Sequence, residues 1–254
     1  MKLHYQESGE GIPLIIIHGL FGSADNWRSM AKYFSRFYRV ISVDLRNHGR
    51  SPHSDEQNFT VMAEDIHELC EDLRLDQINI LGHSLGGKVA MKFAAMYPEM
   101  VAKLVVVDIA PRQYFSAHTP LMDAMMALNL SEFTSRTEVD AALAQSIPDQ
   151  AVRQFLLMNL VSEHERYKWR INLTALKANF KELMASIFDS EVLTMPSLFV
   201  YGELSDYVTE QDRQQISAQF THAEFNCIEK AGHWVQAERP QQFKQVVEAF
   251  LHDD

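Results

Sequence analysis

The 254-residue chain carries only two cysteines, Cys70 and Cys227. They stand far apart and outside any CxxC spacing, which excludes a disulfide framework and a thiolate metal site. Long apolar runs are missing too. Runs such as 14–17 and 104–107 fall far below the ~20 residues that cross a bilayer. Positive charge is scarce: 23 lysines and arginines face 34 acidic residues, a formal net charge of −11. Such a surface repels phosphate backbones and anionic membranes, so neither nucleic acid nor membrane is expected as a partner and a small molecule is favoured. Residues 1–13 contain no apolar signal-like region, and a cytoplasmic location is expected, the chain being a monomer or a homodimer.

What is present suits an ordinary globular protein. The chain is 46% hydrophobic and 22% charged, enough to bury a sizeable core, and at ~150 residues per domain its length lies between one domain and two. Short β-type runs at 2–7, 14–18, 39–44, 78–81, 101–108, 197–202 and 223–228 alternate with helical spacing, the pattern of a parallel sheet with crossover helices. Helices are expected at 27–34 after Ser23, at 63–73 after Thr60, at 89–96, at 216–220 after Thr209, and from Pro240 to about 251. From 112 to about 194 no strand is evident, only helix-like stretches at 120–130, 138–145, 151–161 and 175–188. The alternation then resumes, which predicts a core of residues 1–111 and 195–254 interrupted by a helical cap, 112–194, over the sheet's active end.

The sharpest local signal is Gly82-His83-Ser84-Leu85-Gly86, a strand running through G-x-S-x-G into a helix. A serine on so tight a turn brings the residues two positions either side against neighbouring backbone, and only glycine lacks the Cβ that would collide. Ser84 is therefore a candidate nucleophile. An alcohol must lose its proton as it attacks, and His233, in Gly232-His233-Trp234 after the last expected strand, completes the chain order Ser, acid, His. An oxyanion needs preorganised donors: the Leu85 N–H follows the nucleophile, and the Leu20 N–H lies in the glycine-bounded turn His18-Gly19-Leu20-Phe21-Gly22. Two carboxylates compete to orient the histidine. Asp108 ends the apolar run at 104–107, whereas Asp206 lies one residue beyond the expected place in Gly202-Glu203-Leu204-Ser205. Tyr114, Phe115, Met122, Met125, Met126, Phe155, Leu156 and Trp169 offer apolar surface in the cap, with Tyr114 and Trp169 taken as substrate-binding residues. No HExxH, P-loop or G-x-G-x-x-G occurs, so neither metal nor cofactor is expected.

Taken together, HGLFG at 18–22, DLRNHGRS at 44–51, GHSLGG at 82–87, DIAP at 108–111 and GHW at 232–234 resemble the α/β-hydrolase family, most closely the small bacterial carboxylesterases of the YbfF group. The resemblance spans the whole chain. It implies an α/β fold with a mostly parallel eight-stranded sheet flanked by helices, a helical cap inserted after strand six, and cofactor-free hydrolysis of an ester or thioester. It favours Asp108, since the acid of those esterases follows strand six at the same spacing from the serine, and it gives Asp44 and the RNHG turn a supporting role beside the oxyanion loop. The expected activity is that of a serine carboxylesterase or thioesterase working through an acyl-enzyme. Other classes remain open on the same scaffold: a C–C bond hydrolase or aminopeptidase, which a charged anchor in the cap would favour, and a non-catalytic binding protein.

Overall fold

Residues 1–115, 118–164, 166–187 and 192–252 are described by the structure, a computed structural model. The apolar runs form strands because both of their faces are covered. In β2 (Pro13–Ile17), Leu14 and Ile16 join one apolar cluster and Ile15 and Ile17 the other. Such two-sided burial is why these strands read as continuous hydrophobic runs.

β1 (Tyr5–Ser8) and β2 are followed by α1 (Arg28–Phe34), β3 (Arg39–Val43), α2 (Phe59–Leu73), β4 (Ile78–His83), α3 (Leu85–Met96) and β5 (Val101–Val107). A connecting segment then carries α4 (His118–Ala127), α5 (Arg136–Leu143), α6 (Gln150–Leu157), the hairpin β6 (Leu160–Glu163) and β7 (Arg166–Trp169), α7 (Leu173–Ala178) and α8 (Phe180–Met184). The chain returns to the sheet as β8 (Ser197–Gly202), α9 (Glu210–Gln219), β9 (Ala223–Ile228), α10 (Val235–Glu238) and α11 (Pro240–His252). The sheet order is β1-β3-β2-β4-β5-β8-β9, parallel throughout except for β1, which runs antiparallel to β3. Helices α2 and α3 pack on one face, and α1 and α11 on the other.

Seven strands form this sheet among the described residues, where eight were expected. Ahead of β2 only one strand forms. The His4 carbonyl accepts from Asp44 N–H, one pair beyond Tyr5–Val43, and the His4 N–H donates to Ser51 Oγ.

The segment between β5 and β8 was expected to be helical throughout, but it contains the β6–β7 hairpin. The helix expected over 151–161 ends at Leu157. There Asn159 buries its side-chain amide, which donates to Leu156 O and Phe21 O, and the chain leaves as strand. The stretch expected as one helix over 175–188 is two, α7 and α8, divided at Asn179. Asn179 Nδ2 turns back to the Ala175 and Asp55 carbonyls, the local competition that makes asparagine a poor mid-helix residue. Phe188 lies outside the described residues.

This segment is tied to the sheet at both ends by Lys88 of α3, 2% exposed. Its ammonium donates to Arg112 O (2.7 Å) and Ala185 O (2.5 Å). A buried charge is tolerable only when carbonyls replace its lost water. The segment's apolar side chains, among them Met122, Met125, Leu156, Leu157 and Leu176, belong to the same buried cluster as α2 and α3.

Candidate active site

The carboxyl ends of β2, β4, β5 and β8 lie along one edge of the sheet, the edge where parallel α/β sheets place their ligands. Ser84 follows β4 at φ 51° and ψ −116°, a strained conformation for a residue with a Cβ. The surrounding glycines make the turn possible. A Cβ on Gly82 would lie 2.1 Å from Gly86 O, and one on Gly86 would lie 2.4 Å from Ile17 O. α3 begins at the next residue, and its first amides have no partner within the helix.

Three of the sequence candidates come together here. Ser84 Oγ is 3.0 Å from His233 Nε2, and His233 Nδ1 is 2.7 Å from Asp108 Oδ2. Asp108 is wholly buried, also has positive φ, at 50°, and accepts from Gly202 N–H through Oδ1 and from Ser205 Oγ through Oδ2. These donors hold the carboxylate in one orientation. Asp206, the competing acid, is exposed, and among the described residues its carbonyl is engaged by Arg112. Ser205, which fills the expected place of an acid in the Gly202-Glu203-Leu204-Ser205 turn, contributes its hydroxyl to Asp108. Tyr207 stacks on the imidazole, ring centroids 3.9 Å apart and planes 21° from parallel.

His83 lies beneath His233, ring centroids 4.8 Å apart, and its Nε2–H donates to the His233 carbonyl at 2.9 Å. Burial, with the neighbouring His233, lowers its pKa to about 3. His83 therefore stays neutral near neutral pH.

The turn expected to hold the second donor closes by Gly22 N–H to Gly19 O at 2.9 Å. Gly19 packs against Ser84, since a Cβ there would come within 3.3 Å of Ser84 Cβ. His18 supports the turn from below: its Nε2 accepts from Leu45 N–H at 3.0 Å, so its Nδ1–H donates to Gly19 O at 2.8 Å. Burial also lowers its pKa, which preserves this neutral tautomer. Beside it Asp44, fully buried, accepts from Ala24 N–H, Arg50 N–H and His4 Nδ1.

A cavity of about 250 Å³ opens onto Ser84 and His233, walled by Phe21, Trp27, Leu121, Phe155, Tyr207 and Trp234 among others. Phe155 and Leu156 line it as expected. Met122 and Met125 are instead buried in the segment's interior, and Phe115 is 92% exposed. Trp169 lines neither this cavity nor the small one beside it, because its Nε1–H is engaged with Met125 O. Tyr114 does reach that smaller cavity, about 30 Å³ between Ser84, Leu85 and Lys88, while its hydroxyl accepts from Ala110 N–H and donates to Tyr207 O. Tyr207, Leu121 and Trp234 escaped the sequence reading. Only Trp234 carried a signal, its place next to His233.

Residues 12–240 match the family model described as the alpha/beta hydrolase fold, and the chain belongs to that family. Within it, the chain is 38% identical over 242 residues to a Haemophilus influenzae protein named as an esterase/lipase, covering 94% of this chain and 83% of that one. It is 33% identical to the Escherichia coli esterase YbfF, covering 98% and 96%. Among solved structures, an esterase from a marine microorganism superposes with a TM-score of 0.96 at 39% identity, over 98% of this chain and 99% of that one.

Proposed function

We propose that the chain is a carboxylesterase-type serine hydrolase in which Ser84 is the nucleophile, His233 the general base and acid, and Asp108 the orienting carboxylate. The observation that carries this reading is the unbroken line of hydrogen bonds from Ser84 Oγ through His233 to Asp108 at the mouth of an apolar cavity. Esterase relatives spanning nearly the whole chain support the reaction class.

In this reading Ser84 Oγ adds to the ester carbonyl while its proton passes to His233 Nε2. Asp108 holds the imidazole with Nδ1–H directed at its own Oδ2 and stabilises the imidazolium. The N–H groups of Leu20 and Leu85 receive the oxyanion. His233 then protonates the departing alcohol, and a water activated by the same imidazole releases the acid from the acyl-enzyme. The segment 112–194 serves as a lid on a core of residues 1–111 and 195–254, since Leu121, Val152, Phe155 and Leu156 from it wall the cavity.

Among the described lining residues none is a lysine, arginine, aspartate or glutamate. That favours an uncharged acyl group over the charged anchor a C–C hydrolase or aminopeptidase would use. Thioesters fit the same chemistry and form the second substrate class. The test is hydrolysis of p-nitrophenyl esters and acyl-CoA thioesters of increasing chain length, with Ser84→Ala as blank. Turnover lost in that variant is expected, and turnover that survives it would overturn the assignment.

A further inference from the structure

Phe21 holds φ at 63°, a left-handed conformation that strains an L-residue with a Cβ. It stands third in the turn Gly19-Leu20-Phe21-Gly22, a position that glycine normally fills. A strained turn persists only where its surroundings hold it. The peptide unit joining Phe21 to Gly22 is held at both ends: its N–H donates to Gly19 O at 2.9 Å, and its carbonyl accepts from Asn159 Nδ2 at 2.8 Å.

Asn159 comes from a distant part of the chain, just beyond α6. It is 3% exposed, and its main chain is fixed too, N–H to Leu156 O at 3.0 Å and carbonyl to Arg170 N–H at 2.8 Å. The core therefore grips this turn from beneath through His18 and Gly19 O, and the lid grips it from above through Asn159. Val152, Phe155 and Leu156, on the helix that ends two residues before Asn159, wall the cavity.

Resting on the catalytic reading above, we propose that Asn159 is a positioning residue. Its amide keeps Phe21 left-handed and so holds the closed turn, in which the Gly19–Leu20 peptide aims the Leu20 N–H at the site of the developing oxyanion. The lid thereby sets the catalytic rate as well as the pocket's shape, because an acyl group seated under α6 presses on the helix that leads to this amide.

Asn159→Ala and Asn159→Asp discriminate, since aspartate keeps the volume and, assayed above its own pKa, cannot donate to a carbonyl. On a p-nitrophenyl ester both are expected to lower kcat about tenfold, part of the ~10²–10³ that a lost oxyanion donor costs, with KM within about twofold of wild type. Phosphonylation of Ser84 by a fluorophosphonate should slow in parallel. In a Phe21→Gly background, where the left-handed conformation carries no strain, Asn159→Ala should lower kcat by no more than about twofold. Three results would overturn the proposal: Asn159→Asp close to wild type, a change confined to KM, or an undiminished loss in the Phe21→Gly background. Full turnover in Ser84→Ala would instead overturn the catalytic reading, so the two failures are told apart.

Discussion

The Tyr207 ring lies flat against the His233 imidazole, centroids 3.9 Å apart. With Nδ1 tied to Asp108 and the His233 carbonyl tied to His83, this contact closes off the remaining rotation of the ring. It also covers the face from which water would solvate the imidazolium. Tyr207→Phe keeps the face and is expected to retain kcat within about twofold, whereas Tyr207→Ala should lose roughly tenfold, as expected when a catalytic group is loosened in its near-attack geometry. Steady-state kinetics on one ester separates the two, and equal losses would refute a role for the ring face.

Asp108→Asn presents an amide to His233 Nδ1 and favours the wrong tautomer, for which a loss of about 10⁴ in kcat is expected. Asp206→Asn should stay within about threefold, since the Asp206 side chain is exposed. Ser205→Ala removes one of two further donors to Asp108 and should fall between them. Kinetics of the three variants at a single pH gives the ranking, and a more damaging Asp206→Asn would move the acid to that residue.

The cavity's 250 Å³ admits about eight water-sized groups at ~30 Å³ each. Turnover should therefore rise from acetyl to medium acyl chains and then fall. Phe155→Ala, which removes a wall of the cavity, should move the optimum to longer chains. A chain-length series measured on both proteins decides the matter, and an unmoved optimum would place the acyl chain elsewhere.

His48 and His83 are buried and neutral, each with its pKa lowered to about 3, chiefly by burial. The unfolded chain takes up these protons near pH 6.5 and the folded one does not until about pH 3. Stability is therefore full above pH 6.5 and falls as pH drops towards 3, at up to about 1.4 kcal/mol per pH unit for each histidine. Urea midpoints at pH 7.5 and 5.5 measure this, and His83→Gln should shallow the slope. An unchanged slope would show that His83 is not the proton acceptor that opposes the fold.

The strands and the tight turn at Ser84 were legible because their causes are local. β8 and β9 fall where the apolar runs placed them, and Ser84 sits on a turn that Gly82 and Gly86 announce. The hairpin in the insertion was not, because four-residue strands with largely exposed side chains leave no periodic run to find. The eighth strand came from the resemblance alone, and no run ahead of residue 13 offered a second one. Asp108 and Asp206 could not be separated by composition, since the difference lies in which carboxylate the neighbouring β8 end reaches with Gly202 N–H. Trp169 looked like a ligand contact because an exposed-looking aromatic and a packed one read alike. Its indole N–H finds its partner 44 residues away, at Met125.

The double attachment made by Lys88 bears on any attempt to exchange lids between relatives. Both ends of the insertion meet on one ammonium, so a transplanted lid arrives with two carbonyls that must find the same cation, in a host that must already bury a lysine at that depth. A chimaera with its junctions inside 112–185 would keep this joint intact. One that brings in its own flanks, or a host lacking the lysine, would leave two buried acceptors unmet or one buried charge bare.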